Sequence, residues 1–232
     1  MRSGLAYFFH GSVFLLCVIT VQRGGNDNMI MDNFAFTGAS PSMQYTIFDI
    51  PVLNSILQGL AIVLLKIFRW RIEGRPPAIP KYVMTAAPHT SNWDFPIGLA
   101  IMFALKMNLK WLGKDTLFRW PLGYLFKFLG GIPINRSKSG DVVAQSIQAF
   151  KNKERMILAI APEGTRKKVH HWKTGFYYIA QGADVPIVMG FLDYAKKVGG
   201  IGPTILPTGD IEVDMKVIRG FYDGISGKIA DK

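Results

Sequence analysis

The chain has 232 residues, 49% of them hydrophobic and only 19% charged, with a formal net charge of +11 and a mean hydropathy of +0.20. That length suits one domain with a short appendage, and apolar excess combined with surplus basic residues points to an anionic membrane surface or phosphate-bearing ligands ahead of nucleic acid. The single Cys17 excludes an internal disulfide and a cysteine zinc site, and four histidines are too scattered for a cluster, so no metal and no cofactor is expected.

In chain order, the first element is residues 5–21, a largely apolar stretch of 17 residues behind Arg2. A spanning helix needs about 20, and the stretch resembles the core of a signal peptide, yet no small-residue cleavage site follows at Gln22-Arg23-Gly24-Gly25. It reads as an uncleaved anchor, a signal peptide, or sequence upstream of an alternative start at Met29, Met31 or Met43. Residues 24–42 are polar and aperiodic, a linker that completes an appendage over 1–45. Between 47 and 68 only Asp49 and Lys66 are charged, and Arg69, Trp70, Arg71 and Arg75 follow. An apolar helix ending in Arg and Trp fits a membrane-interface element, expected over 46–75; a core helix of the domain is the other reading.

Pro76-Pro77-Ala78-Ile79-Pro80 is stiff and non-helical, and it opens the main domain, 76–232. Strands are predicted at 82–85, 109–112, 156–160 and 185–191, and helices at 97–107, 117–129, 142–152 and 175–181. This alternation predicts an α/β fold, a central and mostly parallel sheet flanked by helices. The last thirty residues mix Gly and Pro with alternating segments such as 211–215, which reads as an edge of the sheet.

The chemistry-bearing stretch is Pro88-His89-Thr90-Ser91-Asn92-Trp93-Asp94-Phe95. In a helix, five residues amount to about 500° of rotation, so His89 and Asp94 would not share a face. Pro88 and Pro96 bracket the stretch and favour a loop that leads into a helix. Such a loop can fold the Asp94 carboxylate onto one imidazole nitrogen of His89 and leave the other to accept a proton from a hydroxyl. His-x4-Asp alone is common. Downstream, however, lies Gly130-Gly131-Ile132-Pro133-Ile134-Asn135-Arg136, where Arg136 is placed to hold a phosphate bidentately. Ala161-Pro162-Glu163-Gly164-Thr165-Arg166 follows a strand; Gly164 frees the backbone, and Thr165 and Arg166 supply phosphate donors. Val185-Pro186-Ile187-Val188 is a further buried strand.

Taken in this order, "HTSNWD", "GGIPINR", "PEGTR" and "VPIV" resemble the four blocks of the glycerolipid acyltransferase family typified by 1-acylglycerol-3-phosphate acyltransferase. The resemblance runs from about Lys81 to Met189. It implies the acyltransferase α/β fold with a membrane-associated helical segment at the N-terminus. It also implies that His89 is the general base, oriented by Asp94, and that the acceptor hydroxyl attacks an acyl thioester directly. Arg136 with Glu163, Gly164, Thr165 and Arg166 would bind the acceptor phosphate, and Lys173 and Gly175 resemble the basic-x-Gly element that follows the third block. Pro88, Ala161, Lys167 and Met189 depart from the usual residues of the blocks and weaken any statement about which acceptor is used.

The implied partners are acyl-CoA or acyl carrier protein as donor, a lysophospholipid as acceptor, and a membrane surface. Because both donors are cytosolic pools, the expected place is the cytoplasmic face of the cell membrane. The basic and aromatic run 166–173 lacks a nucleic-acid fold signature, so no nucleic acid is expected. A non-catalytic membrane-associated lipid- or phosphate-binding protein is the competing class, and an acyltransferase with another acceptor a third. The His89/Asp94 pair argues for the enzyme, since a pure binder needs no base.

Overall fold

Strands buried on both faces lose the polar alternation of surface sheets and keep only a division of labour between odd and even residues. In the computed structural model, which describes residues 46–134, 139–167, 169 and 171–229, this division builds the fold. All of these belong to one unit, Pro41–Lys232. Residues 1–45 and Arg136 lie outside the described residues.

Seven strands form one sheet: β1 (Arg71–Glu73), β2 (Lys81–Ala87), β3 (Leu109–Lys114), β4 (Gly131–Ile134), β5 (Met156–Ile160), β6 (Ile187–Asp193) and β7 (Val198–Ile205). Their order is β1-β7-β6-β2-β5-β3-β4. The five from β6 to β4 are parallel, while β7 runs antiparallel to β6 and carries β1 with it. Among the described residues there are six α-helices: α1 (Pro51–Ile67), α2 (Asp94–Ala104), α3 (Gly123–Phe128), α4 (Ser139–Lys151), α5 (Gly175–Ala183) and α6 (Ile211–Tyr222).

Along β2, Tyr82 and Met84 point to one face and join Val188 of β6 and Ala159 of β5 beneath α1 and α2. Val83 and Ala87 point the other way and join Leu158, Ile187 and Met189 beneath α5 and α6. The chain leaves β2 through α2 on the first face and travels to β3. It leaves the adjacent β5 through α5 on the opposite face and travels to β6. Neighbouring parallel strands whose connections diverge in this way open a crevice at their carboxyl ends, the usual ligand position of open α/β sheets.

Three regions differ from the sequence-based expectation. Residues 211–215 are the start of α6, not an edge strand. The Asp210 side chain caps that helix by accepting from the Glu212 and Val213 N–H groups at 3.1 and 3.2 Å, and Asp214, Met215, Ile218 and Tyr222 form its inward face. The edge on that side is the short β1, which pairs with the Gly-rich β7. The single helix expected over 117–129 is a short 3-10 turn, Asp115–Phe118, followed by α3, with Pro121 between them. Trp70, expected at a headgroup level, is buried with its ring edge-on to Tyr194 at 5.0 Å.

Helix α1 begins with Pro51 at its first position and packs Ala61 and Leu65 inward. Its opposite face, Val52, Ile56, Leu60, Val63 and Ile67 at helical spacing, stays exposed, with Val52 at 73%. Residues 117–125 leave a second group of apolar side chains uncovered: Leu117, Leu122, Tyr124, Leu125 and Trp120, the last 85% exposed. Among the described residues no helix is long and apolar enough to cross a membrane.

Candidate active site

The crevice between β2 and β5 is where the His-x4-Asp stretch arrives. After Ala87 the chain passes through a cis Ala87–Pro88 peptide, and Asp94 is the first residue of α2. Between them the backbone is a loop, so the Asp94 carboxylate turns back. Its Oδ2 lies 3.0 Å from His89 Nδ1 and accepts the Thr90 and Ser91 N–H groups, each at 2.8 Å. Its Oδ1 accepts the Tyr194 hydroxyl at 2.7 Å. Four donors from three directions hold both oxygens in place.

Asp94 is nearly buried, at 6% side-chain exposure, while His89 is 33% exposed. Burial pushes the Asp94 carboxyl up, but hydrogen bonds from His89, Ser91 and Tyr194 and the attraction of His89 outweigh it and hold the group below its ordinary value. The carboxylate is therefore ionised. Its contact with Nδ1 fixes the tautomer that carries the proton there, leaving Nε2 as the acceptor. Tyr194 is pushed well above its ordinary value by burial and by Asp94, so it remains a donor.

Glu163 stands at the end of β5, opposite the same loop, where its Oε2 accepts the His89 backbone N–H at 2.9 Å. Burial raises its carboxyl above the ordinary range, against the lowering effect of the His89 N–H. Gly164 has a positive φ of 64°, and a Cβ there would come within 3.0 Å of the Lys173 side chain, so that side chain's methylenes lie across the glycine. The Lys173 N–H in turn donates to the Pro162 carbonyl at 2.8 Å. Thr165 is half-buried and accepts the Lys167 N–H at 3.3 Å, while Arg166 is exposed. Gly130 takes a φ of 84° just before β4, where a Cβ would meet the Leu109 carbonyl oxygen at 2.5 Å. Arg136 follows the end of that strand by two residues.

Thus His89, Asp94 and Glu163 come together, and Gly164, Thr165, Arg166 and Lys173 belong to the segment that leaves β5. Among the described residues no three His, Cys, Asp or Glu side chains are grouped as a metal site requires. Sequence reasoning missed Tyr194. Its signal was positional: it follows β6, the parallel neighbour of β2, so its backbone emerges beside the His89 loop. The C-terminal segment was missed as well. The Ser226 carbonyl accepts the Tyr194 N–H at 2.8 Å, the Ile229 N–H donates to Thr90 Oγ1 at 3.3 Å, and Lys228 Nζ lies 4.6 Å from the Trp93 ring centre.

A family model described as Acyltransferase matches residues 71–189, just over half of the chain and the whole of this crevice as far as β6. Among solved structures, the fold is similar to the crystal structure of the 1-acyl-sn-glycerophosphate (LPA) acyltransferase PlsC from Thermotoga maritima. The TM-score is 0.51 at 17% identity, covering 74% of this chain and 79% of that chain. At that identity the likeness speaks for the fold alone. No curated protein matches the chain. With a parallel sheet that carries an oriented histidine at its switch point and a family match over the same strands, the chain belongs to the acyltransferase family.

Proposed function

We propose that this chain transfers a fatty acyl group from acyl-CoA or acyl carrier protein to the free hydroxyl of a lysophospholipid, with 1-acylglycerol 3-phosphate as the acceptor of first choice and phosphatidic acid as its product. One observation carries the reading: His89 has one nitrogen locked to a buried carboxylate and the other free to accept. In the proposed reaction His89 Nε2 takes the proton of the acceptor hydroxyl while that oxygen bonds to the thioester carbonyl carbon. The tetrahedral intermediate collapses, the C–S bond breaks, and the imidazolium returns its proton to the leaving thiolate. Asp94 stabilises the imidazolium and Tyr194 fixes Asp94. Glu163 positions the loop through the His89 N–H. Arg136, Gly164, Thr165, Arg166 and Lys173 would receive the acceptor phosphate.

The site is proposed to work at the cytoplasmic face of the cell membrane. The uncovered apolar face of α1 and the exposed side chains of 117–125 support this, with Lys66, Arg69, Arg71, Arg75 and Arg119 exposed near them in sequence to meet lipid phosphates. Incubation of the purified protein with labelled acyl-CoA or acyl carrier protein and a panel of lysolipids, with products read by mass, tests the assignment. Phosphatidic acid formed from 1-acylglycerol 3-phosphate supports it; a different acylated lipid revises the acceptor; no acyl transfer to any hydroxyl removes it.

A further inference from the structure

On the α6 side of the His89 loop, Pro88 forms one wall of a cavity of about 240 Å³ together with Trp172, Arg219, Tyr222 and Asp223. Trp172, Arg219 and Asp223 also line a wider cleft of about 760 Å³ between the segment that enters α5 and helix α6, where Glu212 and Lys216 join them. Arg219 is the unexplained residue. Its Nε is buried without a hydrogen-bond partner, and among the described residues its guanidinium makes no ion pair. A partly buried guanidinium with an unsatisfied N–H carries a desolvation cost that an acceptor would remove, and its planar fork matches a phosphate.

The lining does not suit a bare anion, because Glu212 and Asp223 face the same space as Lys216 and Arg219. It suits a ligand that carries phosphate together with N–H and O–H donors. Trp172, edge-on to Tyr222 at 5.2 Å, adds an apolar wall. The cavity reaches Pro88, one residue from the proposed base, so a ligand lying along it can deliver its end to His89. The acceptor phosphate is assigned to Arg136 and the turn at 163–166, over which the Lys173 side chain lies. The cleft is formed farther along the same segment, at Trp172 and Thr174, against α6, so a phosphate held there would belong to the other substrate.

We propose that this cleft is a binding site for the phosphate-bearing handle of the thioester donor, with Arg219 on the phosphate and the two carboxylates accepting from the amide and hydroxyl groups of the pantetheine arm. This rests on the acyl-transfer reading, but it can be tested apart from turnover. Calorimetric titration with CoA, which needs no acyl group, is expected to give a Kd at least about tenfold weaker for Arg219→Gln than for the wild type, the worth of a charge-assisted hydrogen bond. His89→Ala should bind CoA as the wild type does. Pantetheine, which lacks phosphate, should not distinguish Arg219→Gln from wild type, and the KM for the lysophospholipid should stay unchanged. Arg219→Lys keeps charge and stem while losing the fork; should Arg219→Gln fail to fold, this variant must still weaken CoA measurably. Equal CoA affinity in folded variants, no CoA binding by the wild type, or a loss confined to the lysophospholipid would overturn the site. CoA binding that depends on Arg219 in a protein without acyl transfer would leave the site standing and remove the transfer reading.

Discussion

The loop between β2 and α2 and the outer face of α1 are opposite kinds of surface. In the loop, the exposed imidazole rests on a carboxylate whose oxygens receive two backbone N–H groups and a tyrosine hydroxyl besides the histidine. On α1, Ala61 and Leu65 are packed, whereas Val52, Ile56, Leu60, Val63 and Ile67 each stay more than half exposed. Hydrogen bonds are directional, so the loop has one geometry and its chemistry can be read from its partners. Apolar exposure has no direction. It states only that a cover is favourable; the cover proposed above is a lipid surface, which the chain's basic surplus would suit.

Changes that break the loop should affect turnover, and changes to α1 should affect only where the protein resides. The largest effect is expected from Asp94→Asn, which sets an amide against donors that need an acceptor: kcat should fall about 10²–10⁴-fold, the usual worth of a positioned base. The same variant tests the pH dependence of stability. The folded Asp94 pKa lies below the ordinary value, so its contribution is complete above about pH 4 and is lost as pH falls through the folded value. Thermal melts of Asp94→Asn should therefore show a flatter acid limb than wild type; an unchanged limb counts against the depressed pKa.

On α1, Ile56→Asp with Val63→Asp should lower partition onto anionic vesicles by at least about a hundredfold, at about 1.5–3 kcal/mol per apolar side chain. The melting temperature should hold, because neither residue is packed. Undiminished sedimentation with vesicles would mean that this face has another partner. Tyr194→Phe sharpens the loop side: loss of one hydrogen bond to a carboxylate should cost about tenfold in kcat with KM unchanged, whereas a rise in KM alone would make Tyr194 a binding residue. Glu163→Gln should change least. An acid whose pKa is raised on folding destabilises the fold once ionised, so the wild type loses stability as pH rises through the folded value, and Gln, which still accepts the His89 N–H, should not. A large rise in acceptor KM would instead place Glu163 at the phosphate.

Much of this was legible along the chain. Strands such as 156–160, continuous in apolar character, and the prolines bracketing the His89 loop identify their structures locally. The helix starting at Ile211 did not, because residues 211–215 alternate as a strand would, while the Asp210 cap and the packing of Met215, Ile218 and Tyr222 decide its period. β7 carries glycines where strands carry branched residues, and it exists because β6 supplies a ladder. Tyr194 is a hundred residues from Asp94 and becomes its partner only through the order of strands. Residues that act through neighbours in the sheet need the topology before they can be named.

Replacement of His89 by alanine, with acyl transfer from acyl-CoA to 1-acylglycerol 3-phosphate followed at saturating substrates, tests proton abstraction most directly. Loss of about 10²–10⁴-fold in kcat with lipid binding retained is the predicted result. Turnover equal to the wild type in a folded His89→Ala protein would contradict it.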